Sequence, residues 1–257
     1  MDFTIEELSM NAWPSLYTII YDGWVIRLAN GYTNRANSIN PIYTSRIKLE
    51  EKIQYCDDFF SRHNLPAAYK LVGLRKDEPC DEQKALDKIL THLNYDTNDE
   101  TSIRLYKLSE LRSNNNDGMK IQNDFDDQWI NSVINYNKIT EKHVPIFKKM
   151  LGNLALEKIV VSKMIGNEIA GCGFGAIQNN YVGVFDIVVK EEFRGNGYGR
   201  EIVETILSES ARRGVKSSYL QVRMDNSVAL HLYGKMGYRE IYRYWYKKKK
   251  NEKGAVV

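Results

Sequence analysis

The sequence is poor in cysteine and histidine, and it has no long apolar run. Its 257 residues include four histidines and three cysteines, Cys56, Cys80 and Cys172. Such few and widely spaced residues provide neither a disulfide framework nor a metal-ligand motif, so we expect a reducing, cytoplasmic setting and no metal. No run of about eighteen apolar residues occurs, and the N-terminus lacks the features of a signal peptide. We therefore expect no membrane association.

A strong charge of one sign is also missing. The chain has 36 Lys and Arg residues and 33 Asp and Glu residues, a formal net charge of +3. Bulk charge argues neither for nor against nucleic acid. The basic run at residues 247–250 is interpreted as a solvated end rather than a binding surface, so we expect no nucleic-acid partner. The hydrophobic content of 43% supports a packed core, in one large domain or two small ones.

The most informative segment is the glycine-rich stretch at residues 194–199, RGNGYG, which follows an apolar strand pattern and precedes an amphipathic helix pattern. Glycines let a ligand approach the backbone, and the first amides of a helix lack intrahelical partners. A strand, a glycine turn and a helix therefore predict an anion site for a phosphate or pyrophosphate. A P-loop would end in Gly-Lys-Ser/Thr, and a dinucleotide fold would place its first glycine directly after the strand. The spacing disfavours both.

A second segment, residues 226–238, reads NSVALHLYGKMGY and predicts a helix that begins at Asn226 and stops at Gly237. The two segments, about thirty residues apart, resemble the signatures of the Gcn5-related N-acetyltransferases (GNAT family). The resemblance covers about residues 125–248. It implies an α/β (α+β) chain with the GNAT fold, in which helices flank a mixed central sheet.

The resemblance further implies an acyltransferase that passes the acetyl group of acetyl-CoA to a primary amine by direct attack. In the family, the backbone of the splayed strand holds the pantetheine arm and acetyl group, here Ile187, Val188 and Val189. The glycine loop holds the pyrophosphate, here Arg194, Gly195, Asn196, Gly197, Tyr198, Gly199 and Arg200. Asn226 would contact the cofactor arm or an ordered water, although asparagine also favours a helix N-cap.

Tyr233 is the candidate general acid, because a phenol with a reference pKa of about 10 stays protonated at working pH. The alternative is an ordinary core tyrosine. The base is open: the glutamate that many family members carry five residues before the asparagine is here Gln221, whose amide cannot take a proton. Asp186, on the central strand, is the candidate base, with a purely structural aspartate as the alternative.

The predicted elements of the C-terminal half are helices at 125–137 and 141–151, a strand hairpin at 156–177, a strand at 181–189 and then the two signature segments. In the N-terminal half we predict strands at 24–29, 67–74 and 102–108 and helices at 45–63 and 81–93. The order helix, strand, helix, strand repeats the order over 200–246, which indicates a degenerate copy of half the fold. Without a glycine loop, this copy is expected to bind no coenzyme.

We divide the chain into a degenerate GNAT-like domain at 1–112, a linker at 113–122, a catalytic domain at 123–250 and a polar tail at 251–257. The boundary is placed at the polar run 113–118. The segment from Gly23 to Ser38 resembles the N-terminal region of certain two-part bacterial acetyltransferases. The polar residues of this segment either line the acceptor site or cap the sheet or pack against it, and we favour the cap or packing role.

Three functions are compared. The leading one is an N-acetyltransferase whose acceptor is a small amine, an antibiotic, a peptide N-terminus or a protein lysine, with longer acyl groups left open. A non-catalytic CoA-binding sensor or scaffold is the alternative, favoured by Gln221. A nicotinamide-dependent oxidoreductase rests on the glycines alone. The aromatic segment 238–246 either pairs with another subunit in a homodimer or forms an internal strand.

Overall fold

The computed structural model describes residues 4–74, 81–111 and 118–249. The helices in these ranges are α1 (Thr4–Ala12), α2 (Leu49–Arg62), α3 (Asp81–His92), α4 (Asp127–Tyr136), α5 (Val144–Gly152), α6 (Tyr198–Arg212) and α7 (Ser227–Lys235). The strands are β1 (Tyr17–Tyr21), β2 (Trp24–Leu28), β3 (Ser38–Pro41), β4 (Ala68–Leu74), β5 (Tyr95–Lys107), β6 (Met119–Gln122), β7 (Glu157–Ile165), β8 (Glu168–Gln178), β9 (Tyr181–Val189), β10 (Ser217–Arg223) and β11 (Arg239–Lys249). None of the described helices is long and apolar enough to cross a membrane.

The described strands form one sheet in the order β1-β2-β3-β4-β11-β5-β10-β9-β8-β7-β6. The β3–β4 and β9–β10 pairs are parallel, and the remaining pairs are antiparallel. Helix α6 packs on β7, β8 and β9, while α4 packs on β8 and β9. This arrangement confirms the predicted α/β class with a mixed central sheet flanked by helices.

The two halves of the chain exchange their last strands. β5, from the N-terminal half, pairs with β10 at Ile103↔Gln221 and with β11 at Ile103↔Tyr242. β11, from the C-terminal half, pairs on its other side with β4 at Tyr244↔Val72. Moving outward from the β5–β11 pair, each side meets an antiparallel strand and then a parallel one. The repeated element order thus becomes an approximate two-fold arrangement within one sheet.

The apolar periodicity located the C-terminal elements well, and the strand at 181–189 is confirmed to the residue. The N-terminal half differs more. α2 begins at Leu49 rather than at residue 45, and β5 begins at Tyr95 rather than at residue 102. Residues 96–100 are mostly exposed and polar, so they carry no apolar alternation although they pair with β11. The short elements α1, β1, β3 and β6 were not predicted.

Helix α1 joins the two halves through a shared core. Trp13, just after α1, is 2% exposed and stacks on Phe185 of β9 with ring centroids 6.2 Å apart. Glu6 of α1 is buried, accepts a hydrogen bond of 2.8 Å from the Tyr242 hydroxyl and forms a buried ion pair with Lys70. A lone buried carboxylate would be costly, so these partners from β4 and β11 fix α1 across the exchanged strands.

The interpretation of the basic run as a solvated end is wrong for Lys247, whereas Lys249 is exposed. Its described part, residues 247–249, is the end of β11. Lys247 is 5% exposed, and its Nζ donates a 2.8 Å hydrogen bond to Thr91 Oγ1 and lies 3.4 Å from Asp87 Oδ1. Because β11 has a paired strand on both sides, it is internal and leaves no edge for a second subunit.

The division into domains stays a prediction. Of the predicted boundary run, only Gly118 belongs to the described residues, and the tail at 251–257 lies outside them. Residues 119–122, within the predicted linker, form β6 and pair with β7 at Ile121↔Val161. The sheet itself passes without a break through both predicted domains.

Strand exchange predicts that neither half folds alone. Residues 113–257 produced without residues 1–112 lose β5, which separates β10 from β11, and we expect insoluble or unfolded protein. Co-expression of 1–112 and 113–257 as two chains should restore a soluble complex, because each chain supplies a strand to the other's sheet. Soluble yield and thermal unfolding measure both outcomes. A cooperatively folded 113–257 fragment on its own would contradict the prediction.

Candidate active site

The central gap of the sheet lies between β9 and β10. These parallel strands pair from Tyr181↔Ser217 to Val184↔Leu220, and no pairing between them continues beyond that point. β9 stays paired on its other side, where Val188 opposes Cys172 of β8. Backbone groups of residues 187–189 that point away from β8 therefore face a gap. The geometry is the splayed strand that the family resemblance implies.

Asp186 lies at a β-bulge where the splay begins. Between the pairs Cys172↔Val188 and Phe174↔Phe185, β9 carries one more residue than β8. Asp186 has φ of 49°, in the left-handed region that few non-glycine residues adopt. Such strained positions persist only where the surrounding structure fixes them, and they concentrate at functional sites.

A cavity of about 630 Å³ opens at this splay. Its walls come from the diverging ends of β9 and β10, the start of α7 and the end of α4. The opposite wall is formed by residues 33–35, by Asp99 and Thr101 of β5 and by Tyr244 and Tyr246 of β11. Both halves of the chain therefore build the cavity, and strand exchange is what brings the second wall to it.

The carboxyl group of Asp186 lines this cavity. Its Oδ2 atom is buried and has no hydrogen-bond partner in the described part of the chain. Burial raises the pKa of Asp186 to about 6, and the nearby positive charge of Arg35 opposes that rise. A carboxylate with a pKa near neutral pH and a free oxygen is suited to accept a proton.

Tyr233 lies across the cavity on α7 and is 9% exposed. Its ring packs edge-to-face on Tyr238, with centroids 5.8 Å apart, so it also belongs to an apolar cluster. Burial raises the pKa of Tyr233 to about 12, which keeps the phenol protonated at neutral pH. The two roles are compatible, because the Tyr233 ring packs on Tyr238 and the residue also lines the cavity.

The glycine loop has the geometry of an open anion site. Gly195 and Gly197 have φ of 83° and 82°, and a Cβ on either would meet nothing within 4 Å. The amides of Arg200 and Glu201 donate to the Gly197 carbonyl, whereas those of residues 195–199 donate to no group in the described residues. Several free amides at the start of α6 favour an anion.

The charged residues of the loop differ in availability. Arg200 Nε lies 2.6 Å from Glu204 Oε1, so its exposed side chain forms an ion pair within α6, and its contribution to the loop stays a prediction. The Arg194 side chain is exposed, and its Nε donates to the Val189 carbonyl at 3.3 Å. Asn196 Nδ2 donates to the Phe193 carbonyl at 3.1 Å. The loop is therefore held by its own side chains, with Arg194 as its available cation.

Asn226 has the capping role considered from the sequence. Its side-chain oxygen accepts a hydrogen bond of 3.0 Å from the Ala229 amide, so it is the N-cap of α7, and it also lines the cavity. Gln221 lies in the cavity wall, where its Oε1 accepts a 2.8 Å hydrogen bond from the Tyr244 hydroxyl. Gln221 thereby links β10 to β11, a structural task that an amide performs without carrying charge.

Several cavity residues were missed or ranked too low. Asn34 and Arg35 line the cavity, although a capping or packing role was expected for their segment. Asp99 and Tyr244 were not singled out. The available signal was the repeated element order, because in an exchanged repeat the last strand of the N-terminal half, β5, lies between β10 and β11. No apolar or motif pattern marks these residues individually.

The N-terminal half carries an internal anion where the C-terminal half has its glycine loop. Before α2, the amides of Arg46 and Ile47 donate hydrogen bonds of 2.9 Å to the Asp22 carboxylate, from the β1–β2 turn. Lys52 Nζ lies 3.3 Å from the same carboxylate. These backbone hydrogen bonds lower the pKa of Asp22. The loop that would correspond to a coenzyme site is thus filled by the chain itself, and the absence of a coenzyme there stays a prediction.

In the described ranges, no group of three or more His, Cys, Asp or Glu side chains could hold a metal ion, and the absence of a metal stays a prediction. Cys56 and Cys172 are buried free thiols, and Cys80 lies outside the described residues.

The family model and the curated relatives that match this chain are all described as acetyltransferases. Residues 4–247 match the family model described as "Probable histone acetyltransferase Rv0428c C-terminal". The uncharacterized N-acetyltransferase YobR of Bacillus subtilis is 24% identical over 251 residues, which is 96% of this chain and 98% of that protein. The ribosomal protein bS18-alanine N-acetyltransferase of Escherichia coli is 32% identical over 76 residues, 29% of this chain and 51% of that enzyme.

Solved structures agree on the fold. A GCN5-related N-acetyltransferase from Kribbella flavida has a TM-score of 0.65 at 11% identity, covering 94% of this chain and 91% of that one. A conserved protein of unknown function from Staphylococcus epidermidis has a TM-score of 0.65 at 12% identity, with 98% of each chain covered. A tandem GNAT protein of the clavulanic acid biosynthesis pathway has a TM-score of 0.62 at 11% identity, covering 98% of this chain and 89% of that one. The GNAT fold predicted from the sequence is confirmed.

The open loop predicts that acetyl-CoA raises the melting temperature of the protein and that Gly197→Asp removes this effect. A carboxylate beside the free amides would repel the pyrophosphate. A ligand at about 100 times its dissociation constant stabilises by about 2.7 kcal/mol, and for a chain of this size each kcal/mol raises the melting point by roughly 2–4 °C. Thermal melting with acetyl-CoA and, separately, with NAD measures the effect.

Gly214→Asp is the matched control. Gly214 follows the other end of α6, has φ of 85° and would also meet nothing within 4 Å with a Cβ. It should therefore carry the same backbone strain and the same added charge, yet keep the shift with acetyl-CoA. A shift with NAD alone, or an equal shift in wild type and Gly197→Asp, would show that the loop does not bind pyrophosphate.

Proposed function

The chain belongs to the family described as "Probable histone acetyltransferase Rv0428c C-terminal", and on that premise we propose that it transfers the acetyl group of acetyl-CoA to a primary amine by direct attack. The chain is a GNAT-family acyltransferase. The observation that carries the finer proposal is the cavity where the β9–β10 splay, Asp186 and Tyr233 meet. Acetyl-CoA as donor, the amine as acceptor and the residue roles below are parts of the proposal.

Binding of the donor falls to main-chain groups. Bound acetyl-CoA supplies a reactive thioester, and its pyrophosphate is assigned to the free amides of residues 195–199 with Arg194 as the available cation. The unpaired backbone of residues 187–189 is assigned to the pantetheine arm and to the thioester carbonyl. Amide donors fixed in a rigid strand stabilise the negative charge that develops on a carbonyl oxygen during attack.

Two side chains are assigned to the protons. The acceptor amine forms a bond to the acetyl carbon and gives a proton to the Asp186 carboxylate, while the carbon–sulfur bond breaks and Tyr233 gives its phenol proton to the sulfur. Solvent then restores both groups. The unpartnered Oδ2 of Asp186 supports the base role, and the high pKa of Tyr233 supports the acid role.

The alternative of a non-catalytic CoA-binding sensor or scaffold rested on Gln221. Its hydrogen bond with Tyr244 gives Gln221 a structural task, and Asp186 offers a proton acceptor elsewhere in the same cavity. The named N-acetyltransferase relatives also support an enzyme.

A cytoplasmic location belongs to the proposal, supported by the two free thiols. A homodimer also remains proposed, although not through β11.

Tyr233→Phe should leave the affinity for acetyl-CoA unchanged and lower turnover at least roughly tenfold, about 1.4 kcal/mol of transition-state stabilisation. The substitution keeps the ring packing on Tyr238 and removes only the donor hydroxyl. Steady-state kinetics and the melting shift with acetyl-CoA separate the two effects. Unchanged turnover would mean that Tyr233 is a core residue alone.

Asp186→Asn should remove a pH dependence of catalysis. In the wild type, kcat/KM is expected to fall as the pH drops below about 6, where Asp186 becomes protonated. The ratio of wild-type to variant kcat/KM, measured from about pH 5 to 9, cancels the ionisation of the amine itself. We expect this ratio to rise with pH and level off above the pKa of Asp186. A ratio that is flat with pH would exclude Asp186 as the base.

Thermal unfolding gives the second readout for this variant. A carboxyl whose pKa is raised in the folded state costs stability once it ionises, from the unfolded pKa upward and fully above the folded pKa. Asparagine also tolerates the left-handed backbone of this position. Asp186→Asn should therefore melt no lower than wild type at pH 8. Lower stability together with lost activity would indicate a structural role.

A further inference from the structure

Arg35 presents a charge to the cavity that the protein does not neutralise. It is half-buried and lines the cavity, and it forms no ion pair within the described part of the chain. The other basic residue in the wall, Arg223, lies 3.0 Å from Asp99 and 2.5 Å from Asp225. Removing a guanidinium from water without a carboxylate partner is unfavourable, so an anionic ligand would bind there with advantage.

The position of Arg35 is fixed by its surroundings. Its guanidinium carbon lies 4.7 Å from the centre of the Trp13 ring, a cation–π contact. Its carbonyl accepts a 2.6 Å hydrogen bond from the buried guanidinium of Arg27. Asn37 ties the same loop together, since its side chain bonds the amides of Ala29 and Gly31 and the carbonyls of residues 32 and 33. The guanidinium is therefore held in place before any ligand arrives.

The carboxylates of the cavity differ in the same way. Asp99 is engaged, because it pairs with Arg223 and accepts a hydrogen bond from the Asn34 amide. Asp186 keeps a buried oxygen without a partner. Arg35 and Asp186 do not form an ion pair with each other, yet they interact electrostatically across the cavity. Among the described residues, a guanidinium without an ion pair and a carboxyl with an unpartnered oxygen thus line the same cavity.

We propose that the acceptor is a small aminocarboxylate, whose amino group faces Asp186 and whose carboxylate pairs with Arg35. This inference rests on the proposed acetyl transfer and names the substrate class for it. A guanidinium fork binds a carboxylate through two parallel hydrogen bonds, which orients the ligand as well as holding it. Anchoring at Arg35 presents the amine to its base, and this positioning lowers the barrier to attack. Arg35 is thus the specificity-determining residue.

The test compares acceptors that differ by the carboxylate. With the full-length enzyme and acetyl-CoA, kcat/KM is measured for L-phenylalanine against phenethylamine, L-lysine against cadaverine and β-alanine against n-propylamine. L-Phenylalaninamide separates the charge of the carboxylate from its effect on amine basicity. We expect kcat/KM for at least one carboxylate-bearing acceptor to exceed that for its matched amine by roughly tenfold or more. This is the factor expected when the matched amine lacks one charge-assisted hydrogen bond.

Arg35→Gln should reduce that preference to a ratio near one, mainly through KM, and Arg35→Lys should retain part of it. Arg62→Gln, an exposed arginine at the end of α2, is the matched control and should keep the full preference. A melting shift with acetyl-CoA shows that each variant is folded with its donor site intact.

The remaining outcomes separate the two claims. Efficient transfer to amines without a preference for the carboxylate, or a preference that survives Arg35→Gln, would overturn the aminocarboxylate class and leave the acetyltransferase proposal standing. A preference for cadaverine would point instead to a polycation acceptor and would equally overturn it. Failure to acetylate any acceptor of either series would contradict the proposed function and this inference together.

Discussion

The structure depends on the pairing of two exchanged strands, β5 and β11, at the middle of the sheet. Each supplies the neighbour that the other half of the chain lacks, with Ile103 opposite Gln221 on one side and Tyr242 on the other. The same exchange brings Asp99 and Tyr244 to the end of β10, where the sheet splays. Folding and site assembly are therefore one event, because the cavity has no second wall until the halves have paired.

Charged side chains inside the cavity differ from those outside it in whether they have partners. Outside the cavity, buried charged groups have polar partners: Glu6 pairs with Lys70 and the Tyr242 hydroxyl, and Arg27 donates to the carbonyls of Met10, Trp13 and Arg35. Inside it, the described residues leave Asp186 Oδ2 without a hydrogen-bond partner and Arg35 without an ion pair, and Asp186 also has a left-handed backbone. Such features reduce stability, so they persist where function requires them. The burial that disfavours the ionised form of the Asp186 carboxyl is also what raises its pKa to about 6.

Local patterns predicted the fold of the C-terminal half and the backbone part of the site. The strand at 181–189, the glycine loop and the helix after it are each marked by apolar periodicity or by glycine spacing, which are properties of a few neighbouring residues. The exchange of β5 and β11 is not local, since it depends on which of several similar strands pair. Asp99 could not be placed at the site for that reason, whereas for the segment that holds Arg35 the sequence left the acceptor site and a cap on the sheet as alternatives. Residues 247–249 have the composition of a charged tail, but they end β11, where Lys247 and Lys249 lie near the carboxylates of Asp87 and Asp57.

The Asp22 carboxylate at the start of α2 is a ligand that the chain supplies to itself. Because it is tethered by the β1–β2 turn, its effective concentration at the amides of Arg46 and Ile47 far exceeds that of any free nucleotide. A repeat that began with two equivalent loops would then have one permanently occupied and one open to exchange. In one half a carboxylate of the chain itself holds the position before the helix, and in the other half the corresponding amides stay open.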